Sequence, residues 1–146
     1  MGGSWDAARM LALGRLHARL EEERDLDAVM ATLVAEPVYE FHPLGMKLRG
    51  GERTRRYYWQ FFDDFMQRIE GHRLLDEWVN ERSVVQEYDI TLRVDGVAET
   101  HRVVGVLFAE GELLGGERIY GGERVLRLMI GSLFDELEPI TESRIT

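Results

Sequence analysis

Histidine, carboxylate, tyrosine, arginine and hydroxyl side chains must carry any chemistry here, because the 146 residues include no Cys. Disulfides, thiol nucleophiles and thiolate metal sites are thereby excluded. The four His are His17, His42, His72 and His101. His42 directly precedes Pro43 at the end of an extended run. An imidazole titrates near neutral pH, so one placed there can take a proton from carbon or oxygen and return it. The same position also suits a His that only hydrogen-bonds a loop carbonyl. His17 falls on an apolar helical stripe, the usual place of a core histidine. If the two rings meet in one pocket, one neutral and one protonated, they form a base and acid pair suited to enolisation, isomerisation or dehydration. No two His stand at metal-ligand spacing and no His-Glu-x-x-His occurs, so no metal is expected. None of the double glycines sits in a phosphate-binding motif, and no cofactor is expected.

The elements that must position these groups follow from periodicity. A first helix from the potential cap Ser4 carries Met10, Leu13, Leu16, His17 and Leu20 on one face, with Glu21 to Arg24 as its solvated end. Asp25 caps a second helix that Pro37 stops. A short extended segment, 38–42, precedes a ring-rich helix from Glu52 to about Ile69. Four strands follow, at 74–79, 83–94, 97–108 and 113–120, with Asp95-Gly96 as a two-residue hairpin turn and another turn at 109–112. A tail helix over 123–137 ends the pattern. Helices followed by a meander make an α+β plan and not alternating βαβ. Strands of ten or more residues must twist and coil, which gives a concave face. Along 83–94, Glu87 and Asp89 oppose Gln86, Tyr88, Ile90 and Leu92 in parity and are expected to face solvent. Tyr39, Tyr58, Phe62, Trp78, Tyr88 and Tyr120 are candidates to line an aromatic pocket, although rings at such spacing are commonly core. An inward Arg118 would need a carboxylate partner.

Length and composition fit one domain, 1–146. With 18 Lys plus Arg against 27 Asp plus Glu, the net charge of -9 repels phosphate backbones and anionic lipid, so nucleic acid and membrane surfaces are not expected partners. No apolar run approaches a membrane span and the start lacks a signal-peptide pattern, so a cytoplasmic location is expected.

Asp25-Leu26-Asp27 opening a helix, Tyr39-Glu40-Phe41-His42-Pro43-Leu44-Gly45, and Gly50-Gly51 before the ring-rich helix resemble the nuclear transport factor 2-like superfamily. More narrowly they resemble its ketosteroid isomerase and SnoaL-like polyketide cyclase branches. Glu117-Arg118-Ile119-Tyr120 followed by Leu126-Arg127-Leu128-Met129-Ile130-Gly131 is similar to the end of SnoaL-like domains. The match spans roughly 10–131. It implies a cone-shaped curved antiparallel sheet covered by N-terminal helices, with an extra C-terminal helix and a small-molecule pocket. In the isomerase branch an Asp-Pro pair supplies the general base where His42-Pro43 stands here. A Tyr that binds the substrate oxygen corresponds to His17. The second oxygen donor, an Asp, falls near Val104 or Gly105 and is missing. Tyr120 takes a ring-bearing position, with Arg118 on the same strand face. The resemblance thus implies His42 as base, His17 and Tyr120 as substrate-oxygen partners, and Tyr39, Tyr58, Phe62, Trp78, Tyr88, Val104 and Arg118 around the substrate. The implied activity is cofactor-independent isomerisation, cyclisation or dehydration of an apolar polycyclic, polyketide, terpenoid or steroid-like compound. A non-catalytic small-molecule-binding or assembly module is the alternative, and an epoxide hydrolase built on an Asp, Arg, Asp set is the third. A homodimer is also implied, through the sheet's outer face or the tail helix.

Overall fold

The computed structural model describes residues 4–141. Helix α1 (Ala7–Glu22) starts at Asp6, whose carboxylate accepts from the Arg9 N–H, so the cap is Asp6 and not Ser4. Asp25 caps α2 (Leu26–Ala31) as expected, accepting from the Ala28 N–H at 3.1 Å. Strand β1 (Leu33–His42) begins before Pro37 instead of after it. Pro37 is tolerated because pairing with the neighbouring strand shifts between Leu33 and Val38, a bulge that spares its missing N–H. Strand β2 (Met46–Arg49) turns back on β1.

The ring-rich helix is not one continuous α-helix. Helix α3 (Gly51–Gln60) passes into a π turn (Phe61–Phe65) and a 3₁₀ turn (Met66–Arg68). The register change re-aims the rings: Phe62 and Phe65 are buried in the core while Phe61 stays partly open. Strand β3 (Ile69–Val79) starts where the last turn ends, five residues earlier than the sequence pattern suggests. Strands β4 (Ser83–Val94), β5 (Val97–Glu110) and β6 (Leu113–Tyr120) complete the meander. The β4–β5 hairpin turns on Asp95 at φ 50 and Gly96 at φ 81, the left-handed pair that two-residue hairpins need.

Seven strands form one sheet in the order β3-β4-β5-β6-β1-β2-β7, the last being the short strand β7 (Glu138–Pro139). All pairs are antiparallel except β1 with β6. The sheet curls around α1 and α3 without closing. Gly14 on α1 allows this approach, since a Cβ there would lie 2.4 Å from Val84 Cγ1 of β4. Tyr39, Tyr57, Tyr58, Phe41, Phe65 and Leu92 are fully buried between helices and sheet. Complete burial of side chains of this size is worth roughly 1.5–3 kcal/mol each.

The tail forms α4 (Glu123–Ile130) and a 3₁₀ turn (Gly131–Glu136). It folds onto its own subunit: Leu126, Met129 and Ile130 are buried, and Gln60 of α3 donates to the Met129 carbonyl at 2.8 Å. Most of its apolar stripe is consumed there, with Leu133 also buried and Phe134 and Leu137 packed partly against the same core. No helix is long and apolar enough to cross a membrane among the described residues.

Gly116 sets the register between β1 and β6. Its φ is 140°, and a Cβ would fall 1.9 Å from the Val38 carbonyl oxygen. Both obstacles are backbone, so no side chain can move aside. Gly116→Ala is expected to cost roughly 2–4 kcal/mol, read as a lower urea midpoint. An unchanged midpoint would show that this register does not hold in solution.

Candidate functional site

A cavity of about 250 Å³ opens between the end of α1, the π turn and the inner face of the sheet. Its apolar walls come from Phe61, Met66, Ile69, Leu74, Ile90 and Leu107, with the Tyr88 ring beside them. The polar lining consists of Glu21, Glu22, His72, Gln86 and Glu117. Strand parity explains the inward set. Leu107 pairs with Glu117, Val103 with Tyr88 and Gly105 with Gln86, so these residues share one face.

One end of the cavity gathers ionisable groups. Ligating atoms of His17, Glu21 and Glu117 all lie within 4.8 Å of one another. His17 and Glu21 stand one helical turn apart on α1, and the His17 Nε2 to Glu21 Oε2 distance is 3.6 Å. Glu117 arrives from β6, and Gly105 on the neighbouring strand makes room for it: a Cβ at Gly105 would sit 2.3 Å from Glu117 Oε2. No hydrogen bond or ion pair to Glu117 is present among the described residues. Burial, and after it the Glu21 charge, pushes the Glu117 carboxyl well above the usual carboxylate range. It therefore keeps its proton where surface carboxylates have lost theirs.

Behind these groups runs a buried hydrogen-bonded chain whose direction can be assigned. The Thr32 hydroxyl donates to the Val29 carbonyl at 2.7 Å, so toward His17 it accepts, and the His17 Nδ1–H is the donor at 2.7 Å. With the ring neutral, Nε2 then accepts from the Tyr58 hydroxyl at 3.0 Å. Tyr58 in turn accepts from the Tyr39 hydroxyl at 2.6 Å. Burial is the main cause, and the Glu117 and Glu21 charges a second, of tyrosine hydroxyls held protonated well above their ordinary range at Tyr39, Tyr57, Tyr58 and Tyr88. The chain ends at His17 Nε2, which accepts from Tyr58 and lies 3.6 Å from Glu21 Oε2. It can relay a proton or fix the His17 tautomer.

Of the residues singled out in the sequence, His17, Tyr39, Tyr58 and Tyr88 converge here. Tyr88 lines the cavity, whereas the other three form the chain behind it. Phe62 is core behind Phe61. The expected partnership of His42 with His17 does not occur. His42 pairs with Tyr120, and Glu40 with Arg118, in the alternate parity to Tyr39 and Glu117, so all four sit on the sheet's outer face. There the His42 and Tyr120 rings stack at 4.9 Å and His42 Nε2 lies 3.0 Å from Glu40 Oε1. Arg118 and Tyr120 do share a face as expected, but it is the outward one, and the Arg118 guanidinium lies 5.0 Å over the Phe108 ring. Val104 pairs with Tyr120 on that outer face, and Trp78 pairs with Val85 there and is half exposed. Glu87 and Asp89 are outward as read, Asp89 bound by Arg102 at 2.7 Å. His101 faces inward beside Glu99 at 2.9 Å.

Glu21 and Glu117 were the residues missed. The run Glu21 to Arg24 reads as a solvated helix end, yet the four-residue step from His17 to Glu21 already places both on one face. For Glu117 the signal is its two-residue spacing to Ile119, opposite in parity to Arg118 and Tyr120.

The raised Glu117 pKa has a sign in stability. The folded state holds a proton that the unfolded chain releases near pH 4.5. Stability is therefore full below that pH and falls as pH rises toward the folded pKa, by up to about 1.4 kcal/mol per pH unit. Glu117→Gln removes the titration. Its Tm relative to wild type should climb from near parity at pH 4 to a clear excess at pH 8, and a constant difference across that range would contradict the assignment.

No protein-family model and no curated protein matches the sequence. Solved structures do. A nuclear transport factor 2-like protein from Cytophaga hutchinsonii superposes with TM-score 0.65 at 13% identity, covering 77% of this chain and 99% of that one. An LEH-like epoxide hydrolase from M. tuberculosis gives 0.64 at 18% identity, covering 85% and 90%. A protein of ketosteroid isomerase-like fold from Catenulispora acidiphila, solved with trimethylamine, gives 0.59 at 15% identity, covering 82% and 92%. At such identities the likeness is one of fold. Curled sheet, covering helices and these superpositions together establish that the chain has the nuclear transport factor 2-like fold shared by ketosteroid isomerase-like proteins.

Proposed function

We propose that the chain is a cofactor-independent acid/base enzyme acting on a small apolar molecule, with Glu117 and Glu21 as the proton-transferring pair. The observation that carries this is the unpartnered Glu117 carboxyl, set against Glu21 at the end of an apolar cavity. Two carboxyls this close resist ionising together, so one holds a proton while the other accepts one. In an enolisation the ionised partner removes a proton from carbon and the protonated one delivers its proton to the carbonyl oxygen. Return of a proton at a second carbon is isomerisation, and loss of a β-hydroxyl as water is dehydration. His17 is a positioning residue here, held in one tautomer by Thr32 and supplied from Tyr58.

The volume narrows the substrate. About 250 Å³ lies below the roughly 300–1,000 Å³ of pockets for drug-sized ligands, which supports single-ring or short-chain compounds over steroids. The neighbours include an LEH-like epoxide hydrolase, and the Asp, Arg, Asp set that the family resemblance implies for that activity would need an inward cation. Arg118 faces outward, and no Arg or Lys lines the cavity among the described residues. A second copy of the chain could dock on the outer face, where Trp78 and Tyr120 are half exposed. That is the dimer implied by the resemblance.

Proton exchange at carbon is the direct assay. In deuterated buffer, NMR of a panel of small cyclic ketones and enones should show loss of α-proton signal with the wild-type protein. Glu117→Gln and Glu21→Gln should each slow it about 100-fold or more, and His42→Ala should stay within about 2-fold of wild type because its ring lies across the sheet. Equal loss in His42→Ala would move the chemistry to the outer face, and exchange undiminished in Glu117→Gln would end the carboxyl reading.

A further inference from the structure

The charges around the cavity are one-sided. Glu21, Glu22 and Glu117 line it, and His72 is the one basic side chain among its described lining residues. His72 Nε2 lies 3.5 Å from Glu22 Oε1 at the mouth, so the Glu22 carboxylate has a partner there. Glu21 and Glu117 are left facing each other with only the imidazole of His17 nearby, and its Nε2 already accepts from Tyr58. Titratable groups face Glu117 from every packed element that carries one. They are His17, Glu21 and Glu22 from α1, Tyr57 and Tyr58 from α3, His72 from β3, Tyr88 from β4 and Tyr39 from β1. β5 offers only Gly105 and Leu107. None of these groups is a fixed cation.

An empty site of this kind answers the repulsion by keeping a proton on one carboxyl. A ligand carrying its own positive charge answers it better, because an ammonium brings charge and N–H donors to the Glu117 carboxyl, which has no partner, and to Glu21, whose contact there is His17 Nε2 at 3.6 Å. The walls beyond the carboxyls are hydrocarbon, with the Tyr88 and Phe61 rings beside them. Such walls suit the alkyl substituents of an organic cation and let ring faces meet its charge. They do not suit the hydration shell of a metal ion. A metal would also have to break the Tyr58 to His17 hydrogen bond to gain its nitrogen ligand.

We infer that the ligand of this cavity is a small organic base, bound as its ammonium between Glu117 and Glu21 with its ring or branched chain on Tyr88 and Phe61. This rests on the reading of the cavity as the substrate site and names the substrate class. Binding displaces the proton from Glu117, so both carboxyls meet the ammonium as carboxylates.

Calorimetric titration tests this with benzylamine and N,N-dimethylcyclohexylamine against the neutral isosteres benzyl alcohol and cyclohexyl methyl ketone. Each is run at pH 7 in two buffers of different ionisation enthalpy. The amines should bind at least about 10-fold tighter than the isosteres, the range of a charge-assisted hydrogen bond. Close to one proton should pass to the buffer per amine bound. In Glu117→Gln the preference should shrink to about 2-fold or less and the released proton should disappear, with Glu21→Gln as a second variant should the first fold poorly. Equal affinity for amine and isostere, or amine binding without proton release, overturns the inference. So does Mn²⁺ or Zn²⁺ binding that EDTA reverses and Glu117→Gln abolishes, with no amine binding. Ketones that bind and exchange protons while amines do not bind would sink this inference and leave the acid/base reading standing. Amines that bind with proton release while no ketone exchanges would do the reverse.

Discussion

Everything in the site depends on one parallel pairing, β1 against β6. Its register puts Tyr39 beside Glu117 and Phe41 beside Ile119 on the inner face, and Glu40, His42, Arg118 and Tyr120 on the outer. In a strand the side-chain period is two, so sliding β6 by one residue against β1 would exchange its two faces. The Glu117 carboxyl would leave the cavity and the Arg118 guanidinium would enter it. Gly116 prevents that, because only a residue without a Cβ fits against the Val38 backbone at φ 140°.

The second constraint is polar satisfaction. His17 and Tyr58 are almost wholly buried, and each buried N–H or O–H must find a partner or cost roughly 1–3 kcal/mol. The chain from Tyr39 through Tyr58 to His17, with Thr32 and the Val29 carbonyl beyond it, meets that demand with one member each from β1, α3 and α1. It thereby ties the three elements around the cavity to one another. A network satisfied throughout is rigid, and rigidity is what a proton-transfer site needs from its supports.

Much of this was legible in the sequence. The meander strands 83–94 and 113–120 match the observed bounds, the Asp95-Gly96 hairpin is where its residues demand, and the outward facing of Glu87 and Asp89 follows from parity alone. His17 was placed inward by helical spacing. What failed was facing on β1, where position was borrowed from an aligned Asp-Pro pair. The alternation beyond the bulge at Pro37 already held the answer, since Tyr39 and Phe41 face inward and His42, one residue further, must face out. The π turn was equally hidden, since 3.6 and 4.4 residues per turn cannot be told apart over five residues of mostly aromatic sequence. The carboxyl cluster was missed for a different reason: its two members lie 96 positions apart and each reads singly as a surface charge.

Energetics argues that the cluster is kept for use. A carboxyl brought into an apolar cavity without a donor loses its hydration and gains nothing in return, and a neighbour of like charge adds to the penalty. Leucine, or the isosteric glutamine, would serve the fold better at position 117. The strand next to it nevertheless gives up a side chain at Gly105, a substitution that itself weakens a strand by leaving nothing to pack, and the space so made is occupied by the Glu117 carboxyl. Two local losses of stability that meet at one atom group, at the polar end of a cavity walled by hydrocarbon, are the pattern of a binding or catalytic group and not of a core. His42 shows the contrast. It has a stacked ring, a carboxylate partner and water on the remaining side, so it carries no unmet demand and needs no ligand to explain it.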